Sequence, residues 1–70
     1  MLPLTYASID EENLIKKVGG NPEMKKHLED LGFVVGATIR VVSVSGGNLI
    51  VNIKESKIAL DEKLASKIMI

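Results

Sequence analysis

Cysteine and tryptophan are absent, and tyrosine and phenylalanine occur once each. Without thiols there is no disulfide framework and no thiolate metal site, so a small fold must be held by apolar contact. The shortage of aromatic residues argues against the stacking platforms of single-strand nucleic-acid binders, and against the aromatic-lined grooves that read proline-rich peptides. Charge of one sign is also missing. Nine basic residues balance nine acidic ones, which removes the positive field that draws proteins to nucleic acid or to anionic membrane. No segment approaches the ~20 apolar residues of a membrane span, and "MLPLTYASIDEEN" has no basic n-region ahead of a long apolar run. These absences predict a cytoplasmic protein with no nucleic-acid partner and no insertion into the membrane. Catalytic signatures are missing too: there is no GxSxG and no HExxH, and Gly19-Gly20 does not lead into the GK[ST] of a phosphate-cradling loop. No enzyme activity is expected.

What is present is a chain of 70 residues, 46% of them hydrophobic, with room for one small domain over residues 1–70. A domain of that size buries only about 60% of the surface its unfolded chain exposes. "ENLIKKV" (12–18), ending at Gly19-Gly20, reads as a strand. A helix over about 22–31 is written at both ends. Asn21 stands at the N-cap, Pro22 at the first helical position and Glu23 in the positive first turn. Met24, His27, Leu28 and Leu31 fall at i, i+3, i+4 and i+7, which predicts one stripe facing a core. Gly32 supplies the left-handed residue after the helix, and Phe33 is placed to pack back on Leu28.

Beyond Gly36, "ATIRVVSVS" is β-branched, with Ile39 and Val41 expected on one face and Arg40, Val42 and Val44 on the other. Gly46-Gly47-Asn48 reads as a hairpin turn. "LIVNIK" answers with Leu49, Val51 and Ile53 inward and Asn52 and Lys54 outward, and Glu55-Ser56 turns the chain into "KIAL". Asp61 caps a short helical turn near 61–66 carrying Leu64 and Ala65, and "KIMI" places Ile68 and Ile70 on one face. About five short strands with tight turns imply a mainly β fold, a small barrel in which closure removes exposed sheet edges.

"LEDLGFVVGATIRVV", "GGNLIVNIKESKIAL" and "LASKIMI" together resemble the FeoA family, small cytoplasmic proteins of bacterial ferrous iron transport. The resemblance runs from about Pro3 to Ile70, and its most specific part is Leu28, Leu31-Gly32 and Gly36 followed by the β-branched strand. It implies an SH3-like β-barrel with an inserted helix, no cofactor, and a role beside FeoB, a membrane iron transporter with a cytosolic GTP-binding domain. The same barrel is appended to some iron-dependent repressors. One departure is Asp10, where a Gly often precedes the first strand; Asp tolerates left-handed turn geometry better than most residues.

Candidate sites each have a structural alternative. His27 is of a metal-ligating type, but its place on the apolar stripe, with no second ligand expected there, favours packing. The acids at 10–12 and Asp61-Glu62 lack calcium-loop spacing and stand where turns and caps want them. Lys25 with Glu29 and Lys26 with Asp30 are i, i+4 pairs in the less favourable Lys-first order, cations at the positive end of the helix. That face is either an unconstrained solvated surface or a surface for acidic groups on the cytosolic part of FeoB. The tip Ser45–Asn48 is explained by turn geometry, and self-association through an edge strand or an apolar patch stays open. The leading expectation is a non-enzymatic adaptor of ferrous iron uptake; the alternative is an SH3-like metal-dependent regulatory or peptide-binding module unrelated to transport.

Overall fold

Alternating β-branched residues in the C-terminal half build the larger of two sheets. The computed structural model describes residues 1–70. Strands β1 (Glu12–Leu14), β3 (Thr38–Ser45), β4 (Asn48–Ile53) and β5 (Ser56–Asp61) form it in the order β1-β3-β4-β5, all neighbours antiparallel. The smaller sheet pairs β2 (Lys17–Val18) with β6 (Ile68–Met69). Ile39, Val41, Leu49, Val51, Ile53 and Leu60 turn inward, as the period-two alternation requires. All thirteen buried residues are apolar and they form one cluster, so no buried charge has to be compensated.

The chain ends close the arrangement. Leu2 and Ile70 exchange backbone hydrogen bonds of 3.0 and 2.8 Å, Pro3 bridges to Met69, and Leu4, in a 3-10 turn (Leu4–Tyr6), is fully buried. No helix is long and apolar enough to cross a membrane.

Three expectations about the strands need correction. The strand expected over 12–18 is two strands, because the backbone changes partner at its middle. The Ile15 N–H donates to the Ala37 carbonyl at 2.9 Å, whereas the Lys16 N–H donates to the Met69 carbonyl at 2.8 Å. Buried Ile15 is the pivot between the sheets. Val44 does not share a face with Arg40 either. Between the Val41↔Val51 and Ser43↔Ile50 pairs β3 advances two residues against one on β4, a β-bulge at Val42 that turns Val44 to the side of its partner Leu49. The first hairpin turn is Gly46-Gly47 without Asn48, and the second is shifted by one residue from Glu55-Ser56 to Lys54-Glu55. Ser45 pairs with Asn48 across Gly46 and Gly47, whose φ values of 57° and 84° only Gly adopts without cost, and Ile53 pairs with Ser56 across Lys54 and Glu55. Asp10 takes the left-handed conformation expected of it, at φ 65°.

Helix α1 (Pro22–Asp30) is inserted between β2 and β3, and the short helix α2 (Glu62–Ala65) lies between β5 and β6. The C-terminus of α1 is a full Schellman motif. The Gly32 N–H donates to the Glu29 carbonyl and the Phe33 N–H to the Leu28 carbonyl, both at 2.9 Å, with Gly32 at φ 105°. Leu28 and Phe33 are both fully buried, and Met24 packs half-buried against the same core. The expected four-residue stripe narrows to these. At about 100° of rotation per residue, the axis of burial lies between Met24 and Leu28, which leaves His27 well round the helix. His27 is exposed, and Leu31, past the last turn, is 38% exposed.

Two stability predictions follow from these positions. Gly32→Ala forces a side chain into a left-handed site and lowers unfolding free energy by about 1–2 kcal/mol. Gly19→Ala, where φ is ordinary and the nearest atom to a new Cβ is 3.5 Å away, leaves stability unchanged or slightly raised when both variants are unfolded in urea. His27→Ala changes stability by less than about 0.5 kcal/mol, whereas Leu28→Ala costs about 2–5 kcal/mol. A large loss at His27 would restore the packed-histidine account.

Candidate functional site

The surface left over by the packing of α1 is highly charged. The helix starts where Asn21 Oδ1 accepts from the Met24 N–H at 2.8 Å, with Pro22 at the first position and Glu23 in the first turn. With Leu28 and Met24 turned inward, Lys26 and Asp30 point the opposite way, Lys25 and Glu29 lie on one flank, and Glu23 and His27 on the other. All six of these outer residues are exposed.

A shallow depression of about 490 Å³ opens between α1 and Leu64 of α2, lined by Asn21, Glu23, Met24, Lys26, His27 and Asp30 with Leu64. The structure therefore brings Lys26 and Asp30 into one concavity and leaves Lys25 and Glu29 outside it. Neither Lys-acid pair of the helix closes into an ion pair; the one salt bridge in the molecule joins Arg40 to Glu12. The Lys-first order explains this, because the side chains lean towards the N-terminus and meet poorly in that sense. Cations and carboxylates on this face remain available to a second molecule.

His27 has neighbours the apolar-stripe assignment concealed. Glu23 lies one turn before it and Asp30 nearly one turn after, and all three line the depression. They do not converge into a set of three groups able to hold a metal ion, and neither does any other His, Asp or Glu cluster. The side chains of two other acids have partners. Asp61 Oδ1 accepts from the Leu64 N–H at 2.7 Å as the cap of α2, and Glu12 pairs with Arg40 at 3.1 Å. At the hairpin tip, the Gly47 carbonyl accepts from the Glu62 N–H at 3.2 Å, which ties the tip to α2.

An apolar segment beside the charged face escaped sequence reasoning. Leu31, Val34 and Val35 follow α1 directly and all are exposed, Val35 at 67%. Gly36, at φ 91°, ends a turn in which the Ala37 N–H donates to the Val34 carbonyl. The two valines are thereby kept out of β3, and apolar side chains at the end of a charged helix are the composition of an interface centre with a polar rim.

The FeoA domain family model matches residues 2–70. A relative from Methanocaldococcus jannaschii, named as an Fe(2+) transport protein A, is 33% identical over 70 residues, covering 100% of this chain and 85% of its own. The solution structure of the FeoA protein from Chlorobium tepidum superposes with a TM-score of 0.88 at 21% identity, over 97% of this chain and 67% of that one. The crystal structure of Stenotrophomonas maltophilia FeoA complexed with zinc, described as a prokaryotic SH3 domain protein, gives a TM-score of 0.85 at 24% identity, over 99% and 88% of the two chains. These two likenesses carry the fold. A family match over nearly the whole length, with the same mainly β fold and inserted helix, means that this chain belongs to the FeoA domain family.

Proposed function

We propose that this chain is a cytoplasmic, non-enzymatic accessory protein of ferrous iron uptake that acts by contact with the cytosolic part of the membrane transporter FeoB. Membership of the FeoA domain family supports the setting, and the archaeal relative's name gives the cargo of that relative. The single observation that carries a contact mechanism is the outer face of α1. Lys25, Lys26, Glu29 and Asp30 are exposed, spaced to pair with one another and unpaired, beside the exposed apolar segment Leu31, Val34 and Val35. A face that stabilises its own helix so little is free to be shaped by a partner.

Lys25 and Lys26 meet acidic groups of FeoB in this reading, and the apolar segment supplies the desolvated centre. Contact then shifts the conformational or GTP-cycle equilibrium of the transporter only as far as this chain's affinities for the two states differ. Iron is the cargo of the transporter, and nothing in the mechanism asks this chain to ligate it.

Lys25→Glu with Lys26→Glu tests the reading. Both side chains are exposed, so the circular dichroism spectrum and melting point stay close to the parent's. Affinity for the purified cytosolic part of FeoB is expected to fall by about tenfold or more, with a flatter dependence on salt concentration. Unchanged affinity in the doubly reversed, folded variant would remove the helix face from the interface.

A further inference from the structure

Far from α1 in the sequence, the outer surface of the larger sheet carries a second polar site. Register places Glu12 beside Arg40, Arg40 beside Asn52 and Asn52 beside Lys57, a row crossing all four strands. Adjoining that row is a depression of about 370 Å³, lined by Glu12, Ala37, Thr38, Arg40, Asn52 and Lys54. Small Ala37 leaves room in the lining, and Thr38, Arg40, Asn52 and Lys54 all offer hydrogen-bond donors. Two cations here face one carboxylate, in a chain whose formal net charge is +0.

Two details mark this basin as incomplete. Arg40 has five N–H donors, of which one is used: Nη2 donates to Glu12 Oε2 at 3.1 Å. Its Nε is the one buried side-chain nitrogen or oxygen in the molecule without a partner, an unmet donor beside a single-point ion pair. Lys54 is the second detail. It occupies a hairpin turn at φ 55°, a conformation that Gly or Asn takes more easily, and it has no acidic partner. A lysine kept at a strained position and lining a cavity points to a function for its charge.

Glu12 cannot be the final partner for so many donors. Its side chain is 62% exposed and that of Arg40 43% exposed, so their bond is weak and exchangeable. We propose that the basin binds a carboxylate of an acidic peptide segment on a partner protein, which replaces Glu12 on the Arg40 guanidinium while Lys54, Thr38 and Asn52 donate around it. Glu12 is then a placeholder that neutralises Arg40 when the basin is empty. A singly charged carboxylate matches the guanidinium fork, and a phosphate dianion is disfavoured because Glu12 stays in the wall. Its lining residues are distinct from those of the helix depression, although the Lys54 side chain passes beside Gly32 at the exit of α1, and neither proposal depends on the other.

The test is a nuclear magnetic resonance titration of the isotopically labelled full chain with a blocked Gly-Asp-Glu-Asp-Gly peptide, its Gly-Lys-Lys-Lys-Gly counterpart and inorganic phosphate, all at equal ionic strength. Saturable shifts of the Arg40 Nε–H, the Thr38 amide and the Asn52 side-chain amide with the acidic peptide alone are expected. Glu12→Gln should tighten that binding several-fold by removing the placeholder. Lys54→Gly should weaken it about tenfold while relieving the turn, so that lost stability cannot account for lost binding. Phosphate shifting the same signals as strongly would replace the proposal with a general oxyanion site. No saturable shift, or an unchanged affinity in Glu12→Gln, would overturn it.

Discussion

Burial of Phe33 is the contact on which the inserted helix depends. A nine-residue helix is marginal on its own, and α1 sends only Leu28 fully into the core. What fixes it is the turn that follows, where Gly32 takes a left-handed conformation so that the Phe33 N–H can reach back to the Leu28 carbonyl while its ring enters the barrel. The next residues continue the attachment. Gly36 donates to the Ile15 carbonyl and Ala37 accepts from the Ile15 N–H, so the helix exit is stitched to the point where the chain passes from β1 to β2. With no disulfide and no polar residue in the buried core, these apolar side chains and backbone bonds carry the attachment.

That economy has a functional consequence. Because Leu28, Phe33 and the two caps hold α1, the other positions of the helix are released from structural duty. A stabilising surface would place acids ahead of lysines along the helix, one turn apart. Here the order is reversed, the pairs stay open, and exposed valines stand beside them. The fold thus presents α1 as a rigid platform, and the same separation of support from surface recurs on the outer sheet, where inward Ile39, Val41, Val51 and Ile53 hold outward Arg40 and Asn52 in register.

Features coded by adjacent residues could be read from the sequence: the Asn21 and Asp61 caps, the Gly32-Phe33 exit, the Gly46-Gly47 hairpin and the inward set of β4. Features that depend on distant partners could not. Nothing local tells that the chain changes sheets at Ile15, since that reflects Ala37 on one side and Met69 on the other. The bulge at Val42 appears only when β3 is set against β4. His27 and Leu31 fit a helical spacing of three and four, but a short helix with one fully buried side chain has a narrower stripe than that template assumes. The Arg40 basin was hidden for the same reason, because Glu12 and Arg40 meet across 28 positions of sequence.

The measurement closest to the central claim is an amide-resolved map of this chain as the unlabelled cytosolic part of FeoB is added. Contact through the platform predicts perturbations concentrated at Lys25, Lys26, Glu29 and Asp30 and running on through Leu31, Val34 and Val35, with the amides of β4 unmoved. Perturbations confined to other surfaces, or none at saturating FeoB in any nucleotide state, would contradict it.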